Sequence, residues 1–353
     1  MKILIVKLGS IGDIVHALPA LAAVRRALPH AEISWAVEKR SAEILRLNPF
    51  LTDLVEVDTR ALRGRKTTLG QKYDAAREQL KSLRSSNYDV ALDFQGLHKS
   101  ALIARLSGAK RSVGFNKAFL REPTSRFLLT ETVEIPARTH VIRKNLYLAE
   151  RALQIKTPTH SSEFEFPIET EEKHEREALE IIEKVGGNFV ILNPGGGWTT
   201  KLWEAARFGR LADEVWSGFG LKSIVTFGPG EESLARTVVA AAKSKQAFAA
   251  DLSLKGFYQL AQRAKIYIGG DTGPTHLAVA ARAPVVGLFG PTEWWRNGSP
   301  FEQDVCVERN DINCRADCHR RACSNWICLD IEVEAVLRAV GKRLESQRFQ
   351  FSA

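Results

Sequence analysis

The chain has no apolar run approaching the roughly 20 residues that a membrane-spanning helix needs. It also lacks a leader pattern: Met1 runs straight into the strand-like Ile3-Leu4-Ile5-Val6, without the basic start and longer apolar stretch of a secretory signal. A cytoplasmic protein is expected. Two nucleotide signatures are missing as well. Neither GxGxxG nor GxxxxGK[ST] occurs, which argues against dinucleotide and P-loop triphosphate ligands. Cysteine is absent until Cys306, and all five (Cys306, Cys314, Cys318, Cys323, Cys328) fall within 23 residues, with His319 among them. The spacings of Cys314, Cys318, Cys323 and Cys328 are not the CxxC pairs of zinc ribbons, which speaks against a structural zinc site. A cytoplasmic setting speaks against disulfides. Zinc, free thiols and a disulfide all stay open on sequence alone.

What is present is a globular composition over 353 residues, 44% hydrophobic and 26% charged, enough for two domains with separate cores. The net charge of +9 is unevenly placed. Residues 60–84 carry eight Lys/Arg against Asp74 and Glu78, and residues 97–126 carry seven against Glu122, so each segment nets +6 and the remainder −3. An anionic partner for the first half is expected. For Arg77, Lys81 and Arg84 a solvated helix face explains the charge as well.

Both halves alternate strand-like and helix-like patterns. Strands are expected at Ile3–Lys7, Ile33–Val37, Leu54–Val57, Asp89–Phe94, Ser112–Phe115 and Thr132–Ile135, then at Phe189–Asn193, Ser223–Phe227, Ile266–Ile268 and Val285–Phe289. Helices are expected at Ile14–Leu28, Ser41–Leu47, Tyr73–Ser85, Lys99–Leu106 and Arg138–Leu153, then at Glu171–Lys184, Ala205–Trp216, Ser233–Ala242, Thr275–Ala281 and Ile331–Gln347. The fold class is α/β: two doubly wound, Rossmann-like domains, 1–160 and 161–330, with a C-terminal helix and tail over 331–353. The linker is placed in the polar stretch Lys156–Glu169. Two such domains facing across a cleft form the GT-B architecture, with a donor bound at the carboxyl ends of the strands.

Two loops in the second half each follow an apolar β-branched run and precede a helical pattern: Asn193-Pro194-Gly195-Gly196-Gly197-Trp198-Thr199-Thr200-Lys201 and Gly269-Gly270-Asp271-Thr272-Gly273-Pro274-Thr275-His276. Such junctions offer free N–H groups and a helix N-terminus to phosphate. A nucleoside diphosphate held between them is expected. Lys201 would neutralise charge as the donor bond breaks, the task a metal performs elsewhere. Thr199 and Thr200 would add hydroxyl donors, and Thr272 and Gly273 amides. No acidic pair of the DxD kind lies near these loops, so no divalent metal and no cofactor are expected. Glu231, after Phe227-Gly228-Pro229-Gly230, is a candidate for ribose hydroxyls, with Glu232 the alternative. In the first half, Asp13 follows Gly12 where the first strand turns into a helix. It is a candidate general base, in tension with the helix dipole, which favours the ionised form, and it could instead only cap the helix.

The run Ile5-Val6-Lys7-Leu8-Gly9-Ser10-Ile11-Gly12-Asp13-Ile14-Val15-His16-Ala17-Leu18-Pro19-Ala20-Leu21 resembles the opening of the ADP-heptose:lipopolysaccharide heptosyltransferases, glycosyltransferase family 9. Tyr88–Ser100, Arg121-Glu122-Pro123, Asp271–His276 and Gly287–Thr292 resemble further family motifs, in family order. The first half is most similar to the heptosyltransferase I subgroup. Asn193–Gly197 with Lys201-Leu202-Trp203 is more similar to the wider family, including heptosyltransferase II. The resemblance implies inverting transfer of L-glycero-D-manno-heptose from ADP-heptose to Kdo of Kdo–lipid A, in lipopolysaccharide inner-core biosynthesis. The alternative is a later heptose addition. It implies Asp13 as base and Asp271 on the donor heptose hydroxyls; His276 is a donor-side candidate whose alternative is helix packing. On the acceptor side Arg121 lies in the matching Arg-Glu-Pro motif, while Arg60, Arg63 and Lys66, basic and placed after the strand Leu54–Val57, are expected to dock the anionic acceptor; Ser10 and His16 are further acceptor-side candidates, His16 also as the fallback base. An enzyme peripheral to the cytoplasmic face of the inner membrane follows. Two other classes compete: a nucleotide-sugar epimerase, and a nucleic-acid-binding module. The basic segments hold few aromatics (Tyr73, Phe94, Phe115, Phe119), which fits stacking on nucleic acid poorly.

Overall fold

The computed structural model describes residues 1–58, 83–84, 86–314, 318 and 320–350. Most of the helix expected at Tyr73–Ser85, together with Arg60, Arg63, Lys66 and His319, lies outside the described residues. The chain divides into two compact units, Met1–Glu169 and Thr170–Ala353.

The first unit holds β1 (Lys2–Val6), β2 (Glu32–Glu38), β3 (Asp53–Val57), β4 (Val90–Asp93), β5 (Arg111–Phe115) and β6 (Glu131–Val133). Their order is β3-β2-β1-β4-β5-β6, and neighbouring strands pair in parallel. A parallel sheet covered on both faces needs continuous apolar runs rather than alternation. Ile3, Leu4, Ile5 and Val6 supply one and are fully buried. The helix expected over Ile14–Leu28 is two, Ile11–Val15 and Leu18–Ala27. Pro19 sits in the first turn of the second, where its missing N–H costs nothing, and it cannot continue the first. The expected helix at Ser41–Leu47 is a 3₁₀ stretch, Lys39–Leu45.

The second unit repeats the plan with β7 (Phe189–Asn193), β8 (Lys222–Phe227), β9 (Ala247–Asp251), β10 (Ile266–Gly270), β11 (Val285–Phe289) and β12 (Val305–Glu308). The order is β12-β11-β10-β7-β8-β9. Counted from β7, this is the same winding as the first sheet. Strands β9 and β12 and the helix Leu254–Ala261 were not foreseen. The final helix, Val333–Gln350, belongs to this unit: Val333, Val336 and Val340 join its core. A buried ion pair fastens it, Arg343 Nε to Asp304 Oδ1 at 2.8 Å, while Val285 N donates to the same oxygen at 2.9 Å.

In each sheet the strand order reverses at one place, between β1 and β4 in the first unit and between β7 and β10 in the second. Ligands of doubly wound sheets bind outside the carboxyl ends of the strands at that reversal.

Candidate active site

At the reversal in the first unit, β1 leads through Lys7 and Gly9 to Asp13. Lys7 is buried, donates from Nζ to Phe94 O at 2.9 Å and stands 3.3 Å from Asp13 Oδ1. The other oxygen, Oδ2, accepts from Ser10 N at 3.3 Å and Ser10 Oγ at 3.1 Å. Asp13 therefore does help close the first helical turn, yet 39% of its side chain stays exposed. Burial of the carboxyl works to raise its pKa, but the Lys7 charge and the Ser10 donors outweigh that and hold it below the usual carboxylate range. Gly9 is required by close approach: a Cβ there would lie 2.7 Å from Asp13 Cβ and 2.8 Å from Gln95 Oε1. From the β4 side, Asp93 Oδ1 accepts from Gln95 N at 2.9 Å and Gly96 N at 3.1 Å, ordering the facing turn. Asp93 is fully buried, which pushes its carboxyl upward against the effect of those amides.

At the reversal in the second unit, the two glycine loops leave β7 and β10. Lys201 Nζ meets Asp271 Oδ2 at 2.5 Å and donates to Asp271 O at 3.1 Å. Asp271 Oδ1 takes Asn297 Nδ2 at 2.6 Å and lies 3.2 Å from His276 Nε2. Desolvation opposes the charge on Asp271, but His276 and Lys201 prevail and keep its pKa far below normal. Lys201 Nζ also sits 4.3 Å from the centre of the Trp198 ring. Glu231 ties the loops together, accepting from Gly196 N and from Gly228 N, each at 2.9 Å. A Cβ on Gly195 would overlap that carboxylate.

The profile of glycosyltransferase family 9 (heptosyltransferase) matches residues 77–326. The chain belongs to glycosyltransferase family 9. Lipopolysaccharide heptosyltransferase 1 of Pseudomonas aeruginosa is 28% identical over 327 residues, 92% of this chain and 88% of that protein. The E. coli heptosyltransferase WaaC with ADP superposes with a TM-score of 0.73 at 23% identity, covering 98% of each chain. A family 9 glycosyltransferase from Veillonella parvula gives a TM-score of 0.79 at 20% identity, over 98% of this chain and 97% of that one. The fold class is GT-B, two Rossmann-like doubly wound units, as expected.

Within this family 9 enzyme several expected roles need restating. The Thr200 hydroxyl is no free donor: the residue is buried and its Oγ1 bonds Arg320 O at 2.6 Å. Glu231 was expected to reach ribose, but both its oxygens hold loop amides. The helix Gly273–Ala280 takes Thr272 as its N-cap, which leaves the Asp271 carboxylate to Lys201, Asn297 and His276. His276 is buried against Asp271, and the exposed Thr199 opens a 3₁₀ turn whose next residue is buried. Ser10 is exposed, whereas His16 is buried, with its carbonyl accepting from Asn145 Nδ2 at 2.9 Å and its ring edge-on to His140. Arg121 is exposed. Its neighbour Glu122 accepts from His98 N at 2.6 Å and so anchors the helix His98–Leu106. The five cysteines carry no disulfide. Among the described residues no group of three His, Cys, Asp or Glu is placed to hold a metal ion. Lys7, Asp93 and Asn297 were missed. Lys7 stood inside the quoted opening motif, and its buried place at the end of an apolar strand was the available signal.

Proposed function

We propose that this enzyme transfers L-glycero-D-manno-heptose from ADP-heptose to a Kdo hydroxyl of Kdo–lipid A, with inversion at the anomeric carbon. The observation that carries the reading is Lys201, held against Asp271 where both glycine loops meet at the second sheet's reversal. An ammonium fixed there meets the charge that develops on the departing diphosphate. Asp13 accepts the proton of the Kdo hydroxyl as its oxygen bonds to the anomeric carbon. The bond from that carbon to the diphosphate oxygen breaks, and ADP leaves. The similarity to a heptosyltransferase 1 over most of both chains supports Kdo as acceptor.

The purified enzyme, given ADP-heptose, is expected to modify Kdo–lipid A and not its mono-heptosylated form, and to do so in EDTA. Preference for the mono-heptosylated acceptor would make it a later enzyme of the series, and an absolute Mg²⁺ requirement would remove Lys201 from its role.

Such an acceptor lies in a membrane. Among the described residues no helix is long and apolar enough to cross one, but the first unit presents Phe127 at 72% and Leu102 at 44% exposure. Their elements, Pro123–Leu128 and His98–Leu106, pack together and carry Arg126 and Arg105. Apolar tips beside arginines suit an anionic bilayer surface. Sedimentation with vesicles should show binding to anionic and not zwitterionic lipid, weakened in Phe127→Ser.

A further inference from the structure

Arg320, Arg321 and Trp326, which lie among the C-terminal cysteines, have no part in the proposed reaction, yet they pack on the loop that carries Lys201. Thr200 is tied to them twice. Its hydroxyl donates to Arg320 O at 2.6 Å, and Trp326 Nε1 donates to Thr200 O at 3.1 Å. Next to this clamp the guanidinium of Arg321 lies 5.2 Å from the centre of the Trp198 ring, the same ring that Lys201 Nζ approaches to 4.3 Å. Arg321 is exposed, and no carboxylate among the described residues pairs with it.

Without Arg321 the charged side chains Lys201, Asp271 and Glu231 leave no net positive charge for a diphosphate. Lys201 is neutralised by Asp271 at 2.5 Å. Glu231 adds a further negative charge and already occupies the Gly196 amide. A diphosphate diester brings two more negative charges into a site whose fixed charges already sum below zero. Arg321 is a cation against this loop that pairs with no carboxylate among the described residues, and its planar fork suits phosphate oxygens better than a point charge does.

We infer that Arg321 is a second phosphate-binding cation of the donor site, and that the Thr200 clamp exists to hold its segment there. The inference rests on the reading of the donor as a nucleoside diphosphate sugar. ADP and adenosine binding to the whole protein, measured by calorimetry in wild type, Arg321→Ala and Arg321→Lys, tests it. Arg321→Ala should weaken ADP roughly 10- to 100-fold, the range for a lost charge-assisted hydrogen bond. Adenosine affinity should not change, and Arg321→Lys should recover part of the loss. Unchanged ADP affinity in Arg321→Ala overturns the inference alone. So does an equal loss of ADP and adenosine, which would make Arg321 a structural prop. A wild type that binds no ADP overturns the donor reading and this inference together.

Discussion

At the residue scale the decisive group is Asp13, a carboxylate that its surroundings keep ionised. In the proposed reaction a base so stabilised is weak at rest and would take the proton only as the acceptor oxygen bonds to the sugar. Asp13→Asn should lower kcat roughly 10²- to 10⁴-fold and leave ADP affinity unchanged, since the diphosphate loops belong to the other unit; normal turnover would pass the role to another group. Because the Asp13 pKa is depressed, the acidic limb of kcat/KM should fall only below the ordinary carboxylate range. The groups facing it are Lys7 just past the end of β1, Ser10 from the turn, and the Gln95 turn ordered by Asp93 from β4. Lys7→Met removes the chief stabilising charge and should move that limb upward in pH. An unmoved pH profile would show that Lys7 does not tune the base. Asp271 obeys the same sign. Its stabilising contribution is present above the unfolded carboxylate pKa and is lost as pH falls through the lower, folded value.

Elements explain how the loops stay open for a ligand. Glu231 alone bridges Gly196 and Gly228, so Glu231→Ala leaves two part-buried amides without this partner, at about 1–3 kcal/mol. The Tm should drop by several degrees, and ADP should bind more weakly. An unchanged Tm would mean the amides find water instead. Arg343→Ala strands Asp304 in the core and should cost about 3–5 kcal/mol, read by urea denaturation. The legibility of elements followed their position in the sheet. The bounds of β7 and β11 were readable because each is a fully buried apolar run stopped by Asn-Pro-Gly or Gly-Pro. Strands β9 and β12 lie at sheet edges, half covered and Ala- or Cys-containing, and carry little periodic signal. At the candidate site, the positions of Asp13, Lys201 and Asp271 just beyond strand ends were legible in the sequence, while their roles stay proposals. The Lys7–Asp13 pair, the commitment of Glu231 and the Arg321–Trp198 contact were not legible, because each joins residues that only tertiary folding brings together.

For the whole molecule, charge is the organising quantity. Two segments of the first half carry +6 each while the remainder nets −3, and Arg121 is the described member of the proposed acceptor arginines. Replacing Arg60, Arg63 and Arg121 together should raise KM for Kdo–lipid A and spare KM for ADP-heptose. Acceptor KM in the wild type should also climb with salt as exposed charges are screened. A triple variant that loses the donor and keeps the acceptor would reverse the assignment of the two units.

An indole with an ammonium and a guanidinium against its ring is also an optical probe, since its emission energy follows the local electric field. Trp198 is one of seven tryptophans, and both Lys201 and Arg321 lie against its ring. A diphosphate drawing both cations toward itself should change the protein's intrinsic fluorescence in a saturable way. Trp198→Phe should abolish that change, so donor occupancy can be followed by light without a labelled substrate.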